Sequence, residues 1–219
     1  MKYDKIKGFI FDMDGTMFDT ERVYYKFWKV TAEERGFIIT DEMIDKMRGA
    51  SVENIGVLFK KVNPDFDYME ERSVRKKHIY DYLKVHGIPK KEGLDELFAW
   101  LKEKNYKLAL GSSSIKEQVM MYLDKTDYTG KFDYICAGDM IKNGKPAPDI
   151  YLHCAEKLGL KPEECIVVED SPNGIRAGFA AGCTVFGIKD MSELSEVRDM
   201  LAEEPETLTD VIRIMEETL

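Results

Sequence analysis

Asp12 and Asp14 stand two residues apart where the apolar run Gly8-Phe9-Ile10-Phe11 ends, and Gly15 and Thr16 follow them. An unbroken apolar run of this length predicts a strand, over 8–12, buried on both faces of a parallel sheet. Ligands of open α/β sheets gather at the carboxyl ends of the strands, so both carboxylates would point into the natural site. Two residues of extended chain span roughly 6.5 Å. That reach lets one carboxylate approach a phosphorus atom while the other meets the leaving oxygen. Gly15 lets the backbone turn sharply past them. An ordinary Asp-Gly turn accounts for the same five residues about as well.

Three further segments with related chemistry also fall just after predicted strands. Ser112, Ser113 and Ser114 end the run Lys107–Gly111 and open a predicted helix over 115–124. Small hydroxyls and free N–H groups at a helix start bind anions, although a plain serine N-cap fits the segment too. Lys145 sits in Asn143-Gly144-Lys145-Pro146-Ala147-Pro148-Asp149, after a predicted strand over 134–138. A lysine stiffened by flanking prolines can neutralise a phosphoryl oxygen at low ordering cost. Glu169 and Asp170 end the run Cys165–Glu169, where adjacent acids are costly unless a cation or hydrogen bonds hold them. The inventory of acids, hydroxyls and one lysine suits Mg²⁺, which binds through a few carboxylates, substrate phosphate and retained waters. Zinc does not fit, because His78, His86 and His153 show no ligand spacing.

The elements that must position these groups follow from the pattern of the rest of the chain. Short β-branched runs, the last over 184–188, alternate in the second half with helical stretches such as the one carrying Leu94, Leu97, Phe98 and Leu101. That alternation predicts a Rossmann-like α/β fold, a parallel sheet with helices on both faces. More than ninety residues separate the first strand from the next, and 20–87 reads as helical. The expected organisation is a core of 1–19 and 88–219 with a small inserted helical domain of 20–87, returning through Gly87-Ile88-Pro89. The chain has 219 residues, 44% of them hydrophobic, and a net charge of −9, which argues for a folded core and against nucleic-acid or anionic-membrane surfaces. The apolar run near the N-terminus is too short for a signal peptide or a span. Four cysteines far apart in sequence, without a C-x-x-C pair, read as buried free thiols of a cytoplasmic protein.

In this order and at these spacings, the four segments resemble those of the haloacid dehalogenase superfamily, in its β-phosphoglucomutase-like branch of small-molecule phosphatases and mutases. The resemblance runs from Phe9 to about Gly187 and identifies the helical insertion with that family's cap domain. It implies that Asp12 is a nucleophile forming an aspartyl-phosphate and that Asp14 is the acid/base. Lys145, with Ser112, Ser113 and Thr16, would hold the phosphoryl group. Asp12, Asp14 and Asp170, with Glu169, would bind Mg²⁺. Glu21 and Arg48 are the candidates for substrate contacts from the cap, with Arg22, Tyr24, Tyr25, Gly49, Ala50 and Ser51 beside them.

Two departures from those relatives favour hydrolysis. Val52 stands where mutases place a cap arginine for a second phosphate, and Tyr24 where they have a histidine. The expected activity is Mg²⁺-dependent hydrolysis of a small phosphorylated metabolite, a sugar or polyol phosphate foremost, by a monomer or weak dimer. A phosphosugar mutase is the alternative, and a non-enzymatic phosphate-binding regulatory module a lesser one. The intact Asp14 and the large cap argue against a mere sensor, and a halide-releasing dehalogenase needs neither Mg²⁺ nor Asp14.

Overall fold

The computed structural model describes residues 2–47, 52–63 and 66–218. Among them, strands β1 (Gly8–Phe11), β2 (Lys107–Gly111), β3 (Tyr134–Cys136), β4 (Cys165–Glu169) and β5 (Thr184–Gly187) form one parallel sheet in the order β3-β2-β1-β4-β5. Every residue of β1 is buried, as its unbroken apolar sequence requires of a strand paired on both sides. Alternation divides its side chains between two layers. Phe9 and Phe11 face one layer, where Phe11 lies 5.0 Å from Phe98 and Phe9 lies 5.1 Å from Tyr106. Ile10 joins the other, with Val167, Val185, Ile175, Tyr151 and Cys154. Phe98 belongs to helix α5 (Leu94–Glu103), whose Leu94, Leu97 and Leu101 are buried with it. The strand order reverses at β1, which pairs with both β2 and β4, and such a switch point opens a crevice at the carboxyl edge.

Three predicted strands end early, β1 by one residue at Phe11. β3 stops at Cys136 because the chain turns out of the sheet to meet the loop after β2. There the Gly138 N–H donates to the Ser114 carbonyl at 2.8 Å, and a Cβ on Gly138 would overlap the Ser113 backbone. β5 stops at Gly187, although the Ile188 N–H still donates to the Glu169 carbonyl at 2.8 Å.

The chain divides into two compact units, Met1–Asp19 with Pro89–Leu219, and Thr20–Ile88. In the first, the two chain passages run side by side: the Asp19 N–H donates to the Pro89 carbonyl, and Lys91 N–H to the Met17 carbonyl, each at 2.9 Å. The second unit holds helices α1 (Glu21–Glu34), α2 (Asp41–Met47), α3 (Val52–Val62) and α4 (Tyr68–His86). Val23, Phe27 and Thr31 recur every four residues on the buried side of α1. Asp67 caps α4, accepting from the Met69 and Glu70 N–H groups, and Gly87 ends it at φ +81°. This unit has its own core around Ile39, Ile44, Ile55, Phe59, Phe66 and Tyr68. It also buries an ion pair. Arg75 donates to Glu71 at 3.0 Å, Thr31 donates to the same carboxylate at 2.7 Å, and the guanidinium lies 3.1 Å from the centre of the Trp28 ring.

No helix among the described residues is long and apolar enough to cross a membrane. Cys136, Cys154, Cys165 and Cys183 are all free and buried. Burial pushes the thiols of Cys165 and Cys183 up from 9.0 to about 12. A raised folded-state value means stability that is complete below about pH 9 and is lost as pH climbs toward 12. Thiol titration of the native protein at pH 8 should therefore leave both cysteines unmodified until denaturant is added. The unfolding midpoint in guanidinium should fall between pH 9 and 11, and by less in a variant with both cysteines changed to alanine.

Candidate active site

Strand register brings the first segment between two others. Phe11 pairs with Leu110 on one side and Val168 on the other, so Asp12, one residue further, comes level with Gly111 and Glu169. The Asp12 N–H extends the ladder by donating to the Val168 carbonyl at 3.0 Å. Beyond it the chain folds back tightly. Gly15 N–H donates to the Phe18 carbonyl at 2.8 Å, and the Met17 and Phe18 N–H groups both reach the Met13 carbonyl. Gly15 adopts φ +84°, and a Cβ there would overlap the Asp170 carboxylate, so glycine is required both by conformation and by space.

At the centre lies a buried triad. The Lys145 ammonium donates to Asp12 Oδ1 at 2.5 Å and to Glu169 Oε1 at 2.7 Å. The side chains of Lys145 and Glu169 are 6% and 1% exposed, so little solvent screens these contacts. Burial disfavours the ammonium, yet the Asp12 and Glu169 carboxylates outweigh it and hold Lys145 above its ordinary value. Burial pushes the Asp12 carboxyl up to about 8, with Lys145 opposing the rise and Glu169 and Asp14 adding to it. One ammonium thus serves two carboxylates, and the triad is electron-rich.

The remaining segments close around it. Asp14 Oδ2 accepts from the Ser114 hydroxyl at 3.0 Å, and Asp170 Oδ1 accepts from that of Thr16 at 2.8 Å. Thr16 is fully buried and Asp170 nearly so. Ser112, also buried, donates its N–H to the Cys136 carbonyl and accepts from the Ser114 N–H with its hydroxyl oxygen, which leaves the hydroxyl hydrogen to donate. Ser113 is exposed on the same loop. None of these serines caps the next helix, α6 (Lys116–Lys125). Ile115 occupies that position, and Asp139 Oδ1 accepts the Lys116 N–H instead. The hydroxyls serve the site rather than the helix.

Glu169, expected among the metal ligands, is held by donors from three other residues. Its Oε1 accepts from Lys145 and, at 3.1 Å, from the hydroxyl of Tyr151, and its Oε2 accepts from the Ser171 N–H and hydroxyl at 2.7 and 2.9 Å. Four donors match the four lone pairs of a carboxylate, so Glu169 holds Lys145 in place. Gly174, in helix α8 (Pro172–Ala180), makes room for it, since a Cβ there would overlap the Glu169 carboxylate. Ser171 caps that helix by accepting the Gly174 N–H.

Among the described residues no three His, Cys, Asp or Glu side chains form a metal-binding group. A hard cation that keeps waters needs no such cage. The buried Asp12 and Asp170 carboxyl groups, whose negative form burial disfavours without a cation, fit Mg²⁺, with the Asp14 backbone carbonyl as an oxygen donor of the same kind. The histidines serve elsewhere: His78 meets Glu34 at 3.1 Å, and His153 meets the Tyr134 hydroxyl at 2.9 Å.

Asp12, Asp14, Thr16, Ser112, Lys145, Glu169 and Asp170 thus gather at one sheet edge. Glu21 opens α1 in the helical unit, whereas Arg48 and the side chain of Val52 lie outside the described residues. Sequence reasoning missed Tyr151, Ser171 and the role of Ser114. The Ser-Pro step at 171–172 is a legible helix start. Tyr151 carries no such signal, because an aromatic on the buried side of a helix reads as core.

The chain matches the haloacid dehalogenase-like hydrolase family over residues 9–188. It is 30% identical to the phosphorylated carbohydrates phosphatase of Thermotoga maritima, over 95% of this chain and 99% of that one. It is likewise 30% identical to the fructose-1-phosphate phosphatase YqaB of Escherichia coli, over 85% of this chain and 98% of the relative. The crystal structure of β-phosphoglucomutase from Clostridium difficile superposes with a TM-score of 0.77 at 24% identity, covering 97% and 96% of the two chains, a likeness of fold. The match over most of the length, together with the four segments meeting at one sheet edge, places this chain in the haloacid dehalogenase-like hydrolase family.

Proposed function

We propose that the protein is a cytoplasmic Mg²⁺-dependent phosphomonoesterase that works through an aspartyl-phosphate on a small phosphorylated metabolite, a sugar or polyol phosphate foremost. The observation that carries this reading is the Lys145 ammonium held 2.5 Å from Asp12, with Asp14 held by Ser114 two residues further along. The relatives named as sugar-phosphate phosphatases support it.

The chemistry follows from what each side chain can do. Asp12 attacks phosphorus with a carboxylate oxygen, forming an acyl-phosphate bond as the ester P–O bond breaks. Asp14, entering as the carboxylic acid, gives its proton to the departing alkoxide. Ser114 keeps that carboxyl oriented, so little freedom is lost at the transition state. Lys145 offsets the charge on the phosphoryl oxygens, and Ser112, Ser113 and Thr16 add hydroxyl and N–H donors around them. Asp14, now a carboxylate, takes a proton from water as that water attacks phosphorus. Inorganic phosphate leaves and Asp12 is restored. Asp12, Asp170 and the Asp14 carbonyl would hold Mg²⁺, which would add charge neutralisation for an anion approaching an anion. The helical unit of residues 20–88 would act as a cap that selects the alcohol portion of the ester, with Glu21 and Arg48 as its candidate contacts.

Asp12→Asn should remain folded and lose about a thousandfold or more in phosphate release across a panel of sugar phosphates. An active Asn variant would remove the nucleophile assignment. Chelation with EDTA should abolish turnover without unfolding, and added Mg²⁺ should restore it. Gly174→Ala should lower kcat by about a hundredfold, since displacing Glu169 misplaces Lys145 by a fraction of a side-chain length. Wild-type kcat in that variant would show that Glu169 does not set the lysine. Glucose 1-phosphate with a bisphosphate activator should yield free phosphate, and isomerised sugar would make the protein a mutase.

A further inference from the structure

Tyr151 lies in helix α7 (Asp149–Leu158), which begins four residues after Lys145, and the mechanism above leaves it unused. Its side chain is fully buried. The hydroxyl donates to Glu169 Oε1 at 3.1 Å, and the Lys145 ammonium lies 4.9 Å from the centre of its ring. The ring also rests against Gly111, where a Cβ would come within 3.3 Å of it, so it is wedged between the second strand and the triad. Burial, followed by the Glu169 charge, raises the hydroxyl well above its ordinary value, so it stays a donor.

The two donors on Glu169 Oε1 compete for the same electron density. Without the hydroxyl, the full charge of that oxygen would face Lys145 alone and draw the ammonium away from Asp12. With it, Lys145 donates to both Asp12 and Glu169. The ring face below holds the cation from a third side.

We propose that Tyr151 is a positioning residue that sets how Lys145 is shared between Asp12 and Glu169, and so keeps the ammonium on the nucleophile and the phosphoryl group. The inference rests on the phosphatase reading for its catalytic consequence but not for its structural content. Removing the hydroxyl frees one lone pair of Glu169 without opening a cavity.

The test is a double-mutant cycle between Tyr151→Phe and Glu169→Gln, read in two ways. In the wild-type background Tyr151→Phe should lower kcat about tenfold, the loss of one hydrogen bond to a charged group, with KM within about twofold. In the Glu169→Gln background the same change should alter kcat by less than about twofold, because a neutral amide oxygen no longer competes strongly for the ammonium. The second readout needs no turnover: the Lys145 ¹³Cε resonance should move on Tyr151→Phe in the wild-type background and stay in place when Glu169 is already Gln. An unmoved resonance, or an equal movement in both backgrounds, overturns the proposal, as does an additive loss of kcat. Absence of phosphate release from the wild type would refute the phosphatase reading alone, and the resonance would still decide the role of Tyr151.

Discussion

One ammonium lies between two buried carboxylates, and the rest of the catalytic edge is arranged around that imbalance. Lys145 touches both Asp12 and Glu169, and none of the three side chains has much access to water. Burying such charges is tolerated only when hydrogen bonds satisfy what the ion pair leaves over. Glu169 meets that condition through Tyr151 and Ser171, and becomes a fixed anchor for the lysine. Asp12 has fewer donors, and Lys145 is its one charged partner among the described residues.

The fold supplies this constraint through its backbone. Parallel pairing of β1 with β2 and β4 sets Asp12 level with Gly111 and Glu169, at the point where strand order reverses. Three glycines then permit the close approaches. Gly15 lies against Asp170, Gly174 against Glu169 and Gly138 against the Ser113 backbone, and a methyl group at any of them would displace a segment of the site. The three serines after β2 illustrate the same economy of space. Polar atoms of Ser112 and Ser114 hold Asp14 and the loop itself, and the helix they precede takes its cap from Asp139.

The helical unit solves a separate problem. It is short, so its aromatic core around Phe59, Phe66 and Tyr68 is supplemented by the buried Glu71–Arg75 pair, satisfied by Thr31 and the face of Trp28. Polar groups of that kind fix which helix faces meet. A unit with a core of its own can vary at its surface without disturbing the sheet.

Much of this was legible in the residues. The strands at Lys107–Gly111 and Cys165–Glu169 follow from apolar runs bounded by Gly, Pro or Ser, and the helical character of the insertion follows from its periodicity. The segments holding Asp12, Asp14, Lys145 and Asp170 announced themselves by residue type at strand ends, because period and composition are local properties. What the side chains do with one another is not local. How firmly Glu169 is held against Lys145 depends on Tyr151 arriving from a helix eighteen residues earlier and Ser171 from two residues later. Whether a serine caps a helix or holds an acid depends on a contact spanning a hundred residues, from Ser114 to Asp14. The order of the chain therefore determined which chemistry was available and on which strands. Only tertiary packing decided which donor took which lone pair, because hydrogen-bond partners are chosen by proximity in space and by the need to leave no buried charge unsatisfied.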